Sequence, residues 1–157
     1  MHSEKRVLVI DDEPTIRELI TDALCEFGFE VEAAANGAAA FEVMRRWAPD
    51  AIVLDLMMPR LDGTAFVDLL RLNPGFQSIP VLLVTASYSA QEAAERIGAK
   101  AFLAKPFELD RLIELVAELT GTPITCIALA DREPPTLGAR AATARRADAT
   151  LSVPFTG

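Results

Sequence analysis

Apolar positions along the chain fall into two alternating patterns. Val7-Leu8-Val9-Ile10, Ala51-Ile52-Val53-Leu54 and Val81-Leu82-Leu83-Val84 are continuous apolar runs of strand length, as expected of strands covered on both faces. Ala101-Phe102-Leu103-Ala104 is a fourth such segment. Phe29 to Ala34 is weaker and alternates, with Phe29, Val31 and Ala33 expected on one side. Between these segments the spacing becomes helical. Ile16, Leu19, Ile20, Ala23, Leu24 and Phe27 recur every three or four residues. Pro14 stands at the front of that helix, where its missing N–H costs nothing, and Gly28 follows its end, where a left-handed cap is common. Ala40, Val43, Met44 and Trp47 predict a second helix, stopped before Pro49. Phe66, Leu69 and Leu70 predict a third, stopped before Pro74-Gly75. An Ala- and Glu-rich stretch over 89–97 predicts a fourth, and Leu109, Leu112, Ile113 and Val116 a fifth ending at Gly121.

Strict alternation of strand and helix implies a parallel sheet covered by helices on both faces, a doubly wound α/β domain. The pattern stops after Thr120. Pro123, Pro134, Pro135 and Pro154 are scattered among Ala, Thr and Arg, and only Thr122 to Ala130 has the makings of a short strand or helix. The expected organisation is a domain over 1–120 and a linker or loosely packed extension over 121–157.

Bulk properties narrow the function classes. A chain of 157 residues is one domain with at most an appendage, and it buries a core without staples. No apolar run approaches the roughly 18–20 residues needed to span a membrane. The apolar run after Arg6 is too short for a signal peptide, so the cytoplasm is the default location. Cys25 and Cys126 are far apart and form no CxxC pair, which disfavours disulfide and zinc roles; Cys25 is expected on the buried face of the first helix. The net charge is −8, and residues 1–120 carry 11 basic and 20 acidic side chains against 4 and 3 in the remainder. A nucleic-acid binder would need a basic face instead.

In open α/β sheets, ligands bind beyond the carboxyl ends of the strands. Asp11, Asp12 and Glu13 follow the first strand, Asp55 the third, Thr85 the fourth and Lys105-Pro106 the fifth. Carboxylates brought that close together repel and call for a cation. Mg2+ takes oxygen ligands and keeps several waters, so one or two direct carboxylates suffice. A carboxylate can then attack phosphorus to give an acyl phosphate, with a metal, an ammonium and a hydroxyl stabilising the spread charge. Each residue alone has an ordinary role: Asp11 or Asp12 as a helix cap, Thr85 as a strand-end hydroxyl, Lys105 as a solvated lysine, Phe102 as core. Their arrival together at one sheet edge is what favours the chemistry.

With these residues in place, the sequence resembles the receiver domains of two-component response regulators. VLVIDDEPTIRELI, DAIVLDLMMPRLDG, IPVLLVTAS and GAKAFLAKPFELDRLIELV carry the resemblance over residues 5–120. It implies a flavodoxin-like (βα)5 sandwich with strand order 2-1-3-4-5. It also implies Asp55 as phosphoacceptor. Mg2+, or alternatively Mn2+, would be held by Asp11, Asp12, Asp55 and the Met57 main-chain carbonyl. Thr85 and Lys105 match the residues that hold the phosphoryl group, Thr85 and Phe102 the switch pair. Pro106 matches a cis-proline, and Pro59 and Gly63 the loop after the acceptor. Met57 and Ser87 match positions that tune dephosphorylation, and neither offers a carboxylate or amide to orient water, so a long-lived phospho-form is expected.

The implied activity is a phosphorylation switch and not a turnover enzyme. Its expected partners are a sensor histidine kinase or histidine phosphotransfer protein and an unidentified output protein. Homodimerisation through the fourth helix, fifth strand and fifth helix is a further expectation; direct nucleic-acid or membrane binding is not. The chain would serve as a single-domain regulator or phosphorelay intermediate, or as the receiver part of a larger regulator. A haloacid-dehalogenase-like phosphatase is the enzymatic alternative, but that class needs its nucleophilic Asp after the first strand and its acidic pair late, the reverse of the order here. A receiver-like docking module that is never phosphorylated is disfavoured by the intact set of five site residues.

Overall fold

The computed structural model describes residues 4–57, 63–86 and 90–123. The elements follow in the order β1 (Arg6–Ile10), α1 (Pro14–Glu26), β2 (Glu30–Ala34), α2 (Gly37–Met44), β3 (Ala51–Asp55), α3 (Gly63–Leu72), β4 (Val81–Thr85), α4 (Ala90–Ile97), β5 (Ala101–Ala104) and α5 (Leu109–Thr120). All strand pairs are parallel, in the order β2-β1-β3-β4-β5.

The two-residue period of a strand divides the core in two. Leu8, Ile10, Ile52, Leu54 and Leu83 point to one face, against Val43 of α2, Phe66 and Leu70 of α3, and Ile97 of α4. Val7, Val9, Val53, Leu82 and Val84 point to the other, against Ile20 and Leu24 of α1 and Leu112 and Val116 of α5. This is why the three central runs contain no polar residue before their ends. β3 is the central strand, flanked by β1 and β4, so β1, β3 and β4 deliver their last residues side by side.

Helix ends set the loops that feed the sheet. Gly28 closes α1 with φ +89°, its N–H donating to the Cys25 carbonyl at 3.0 Å while the Phe29 N–H reaches Leu24 at 3.2 Å. This paired closure turns the chain straight into β2, and a side chain with Cβ is disfavoured at that φ.

Several sequence expectations need correction. β2 begins at Glu30, and Ala33 is exposed while Ala34 is buried; as an edge strand, its buried face is only partly covered. The second helix ends at Met44, before Trp47. Trp47 is still buried; its Nε1 donates to Glu30 at 2.8 Å and its ring lies beneath Arg6 at 5.6 Å. In α3, Val67 takes the core place expected of Leu69, which is 47% exposed. Cys25 is exposed and not on the buried face of α1, whose stripe runs through Ala23 and Leu24. Pro59, Ser87, Cys126 and the extension beyond Pro123 lie outside the described residues.

Candidate phosphoacceptor site

Asp11 follows β1 directly and extends its pairing, its N–H donating to the Ala34 carbonyl at 3.2 Å. The Asp11 Oδ1 accepts the Glu13 N–H at 2.9 Å. It does not cap α1 as a side-chain cap would: the N-cap is Glu13, with no side-chain cap bond, and Pro14 opens the helix. Asp12 is exposed, whereas Asp11 is buried. Asp55 closes β3 and is buried, with its Oδ1 accepting the Met57 N–H at 3.0 Å. Carboxylate oxygens of Asp11, Asp12 and Asp55 lie within 4.8 Å of one another.

Lys105 joins two of them. Its Nζ donates to Asp11 Oδ2 at 3.0 Å and to Asp55 Oδ2 at 3.3 Å. The Lys105 N–H donates to the Thr85 carbonyl at 2.8 Å, which fixes the end of β5 beside that of β4. Thr85, the last residue of β4, is completely buried. The Lys105–Pro106 peptide is cis. Phe102 pairs in register with Leu83 and is 40% exposed, so it is not plain core. Gly63 is the first residue of α3.

The electrostatics follow from burial and charge count. Burial pushes the Asp55 pKa up and Asp11 adds to the rise, while the Met57 N–H and Lys105 oppose it. Burial works against the Lys105 ammonium, but its bonds to Asp11 and Asp55 and their charges outweigh that, so its pKa is raised. Three carboxylates against one ammonium leave an excess of negative charge in an all-oxygen donor set. That chemistry suits a hard divalent cation such as Mg2+ or Mn2+.

Sequence reasoning missed one residue at this site. Arg17, in α1, donates from Nη1 to the Asp11 carbonyl at 2.8 Å. Its partner is main chain, so no pairing of side-chain types announces the contact; the only clue was its place two turns or fewer beyond the acidic loop.

The sequence profile of the response regulator receiver domain matches residues 7–117. The chain belongs to the response regulator receiver domain family. The response regulator MprA of Mycobacterium leprae is 40% identical over 116 residues, which cover 73% of this chain and 50% of that protein. This receiver domain thus spans about half the length of the curated relatives it matches. The chemotaxis protein CheY4 of Vibrio cholerae is 29% identical, with a TM-score of 0.69 over 74% of this chain and 99% of that one. The receiver domain of a sensor histidine kinase from Pseudomonas aeruginosa, solved with a magnesium ion coordinated in its active-site cleft, is 26% identical, with a TM-score of 0.69 over 76% and 99%. The sheet order of this receiver domain is the flavodoxin-like one that its sequence implied. Among the described residues, no helix is long and apolar enough to cross a membrane.

Proposed function

We propose that this receiver domain of two-component signalling accepts a phosphoryl group on Asp55. The donor is a phosphohistidine of a sensor histidine kinase or a histidine phosphotransfer protein. The observation that carries the reading is the buried Asp55 carboxylate, grouped with Asp11 and Asp12 and 3.3 Å from the Lys105 Nζ. An Asp55 carboxylate oxygen attacks phosphorus, the P–N bond breaks, and its electron pair leaves with the imidazole nitrogen. Lys105 is placed to follow one phosphoryl oxygen, and the Thr85 hydroxyl to donate to another. Asp11, Asp12, Asp55 and the Met57 carbonyl would hold Mg2+, with Mn2+ as a substitute. When bound, the ion supplies positive charge beside the phosphoryl oxygens and relieves the carboxylate repulsion. The magnesium in the Pseudomonas receiver supports this choice.

Phosphorylation adds roughly −1.5 to −2 charges at Asp55. Thr85 is drawn toward that charge, and Phe102, now 40% exposed, moves into the space vacated. The surface of α4, β5 and α5 is thereby reshaped for an output protein or a second copy. Residues 1–120 form the switch and 121–157 a linker or extension, in a cytoplasmic protein that acts alone, within a phosphorelay or as part of a longer regulator.

Acetyl phosphate with Mg2+ tests the reading directly. Intact mass should rise by one phosphoryl group, and Asp55→Asn or chelation of the metal should abolish the rise. An unmodified wild-type protein would sink it.

A further inference from the structure

Asp11 has every polar group engaged. Its N–H meets Ala34, its two carboxylate oxygens meet Glu13 and Lys105, and its carbonyl accepts the Arg17 Nη1. Asp12 is the opposite case. It is exposed, and among the described residues no hydrogen bond or ion pair holds its side chain. Its direction depends on the peptide that joins it to Asp11.

That peptide carries the carbonyl that Arg17 holds at 2.8 Å. Arg17 is itself fixed in α1, its N–H donating to the Glu13 carbonyl at 3.0 Å. Among the described residues it forms no ion pair, and the Asp11 carbonyl is the only hydrogen-bond acceptor of its side chain. A full positive charge beside the acidic β1–α1 turn is therefore directed at a neutral oxygen. Attraction to the acidic group alone would favour a carboxylate partner, since charged pairs make the stronger bonds.

We infer that Arg17 is a positioning residue for the cation site. It clamps the Asp11–Asp12 peptide so that two carboxylates that repel each other stay aimed at one volume before an ion arrives. Ordering the turn in advance removes that ordering from the free energy of binding. The inference rests on the proposed Mg2+ site and adds a residue to it.

The sign of the effect separates clamp from charge. If Arg17 acted only through its charge, it would repel a divalent cation, and its removal would tighten binding. The clamp predicts the reverse. The experiment is a calorimetric Mg2+ titration of the unphosphorylated full chain, wild type against Arg17→Met and Arg17→Lys, with metal-free melting as the check on folding. Arg17→Met should bind Mg2+ about tenfold more weakly, in the range for loss of a group that orients a ligand. Arg17→Lys, which keeps the charge but loses the planar fork, should fall between the two. Mg2+ binding as tight as wild type or tighter, in either variant that folds, overturns the inference. A wild-type chain that takes up no Mg2+ overturns the metal site itself and this inference with it.

Discussion

The Lys105 ammonium stands 3.3 Å from the Asp55 carboxylate, although 50 residues separate them. The same ammonium stands 3.0 Å from Asp11. One half-buried cation thus joins the ends of β1, β3 and β5, and it has to serve two carboxylates. Lys105→Met would strand both in a site that burial has already made unfavourable for charge. Urea unfolding in the presence of a chelator should show a loss of about 2 kcal/mol, below the roughly 3–5 kcal/mol for breaking a fully buried pair because this one is only part-buried. Saturating Mg2+ should recover much of it, because a bound cation replaces the missing charge. An equal loss with and without Mg2+ would show that Lys105 acts by packing alone.

Asp55 is strained in the opposite sense. Its folded pKa lies above the ordinary carboxylate range, chiefly through burial, so ionising it in the folded state costs stability. Stability from this group is complete below its unfolded pKa and is lost as pH rises through the folded value. Asp55→Asn keeps an oxygen for the Met57 N–H and removes that cost. The metal-free variant should therefore be more stable than wild type at neutral pH, read as a higher Tm. The gap should close as pH falls below about 4, where the wild-type carboxyl is neutral in both states. Melting curves across pH check both the sign and the closing of the gap; a wild type more stable than the variant at neutral pH contradicts the reading.

Much of this was legible in the sequence, for a specific reason. A parallel strand needs a crossover, so Val7–Ile10, Ala51–Leu54 and Val81–Val84 had to be separated by helices, and the residue after each run had to emerge at one edge. Asp11, Asp55, Thr85 and Lys105 were found that way. Strand order is absent from periodicity and came only with the family resemblance. The misassigned residues share a cause. Leu69 and Cys25 each lie next to a correctly placed core residue, Leu70 and Leu24, and a helical stripe read from spacing is uncertain by about one position, or ~100° of rotation. β2 was placed to within one residue of its start, and only Ala33 fell on the wrong side; the partners of its polar Glu30, Arg6 and Trp47, are ones that sequence does not display. Arg17 stayed hidden because main-chain acceptors carry no residue identity.

Metal binding gives a stability signal independent of phosphorylation. An ion that binds only the folded state stabilises it by about 1.4 kcal/mol at ten times its Kd. Mg2+ should therefore raise Tm in a concentration-dependent way. Asp12 is the exposed member of the trio, with little role in the metal-free fold. Asp12→Asn should leave the metal-free Tm within about two degrees of wild type, since surface changes of this kind stay within ~0.5 kcal/mol, while removing most of the Mg2+ increment. If Asp12→Asn retains the full increment, the ion does not sit among these carboxylates.

On the proposed phosphorylation of Asp55, the residues beside it would set how long the phosphoryl group survives. Met57 lies two residues beyond Asp55, tied to it through its N–H, and its side chain is 66% exposed. Water attacks an acyl phosphate faster when a carboxylate or amide aligns it, and a thioether accepts hydrogen bonds only weakly. Phospho-Asp55 should accordingly persist for minutes or longer in Mg2+ after the donor is removed, as read by decay of the intact mass. Met57→Asn places an amide at the same position and should shorten that lifetime severalfold without changing which residue is modified. A wild-type lifetime of only seconds would mean that water is being oriented by a group other than Met57, and the exposed thioether would not be what governs the decay.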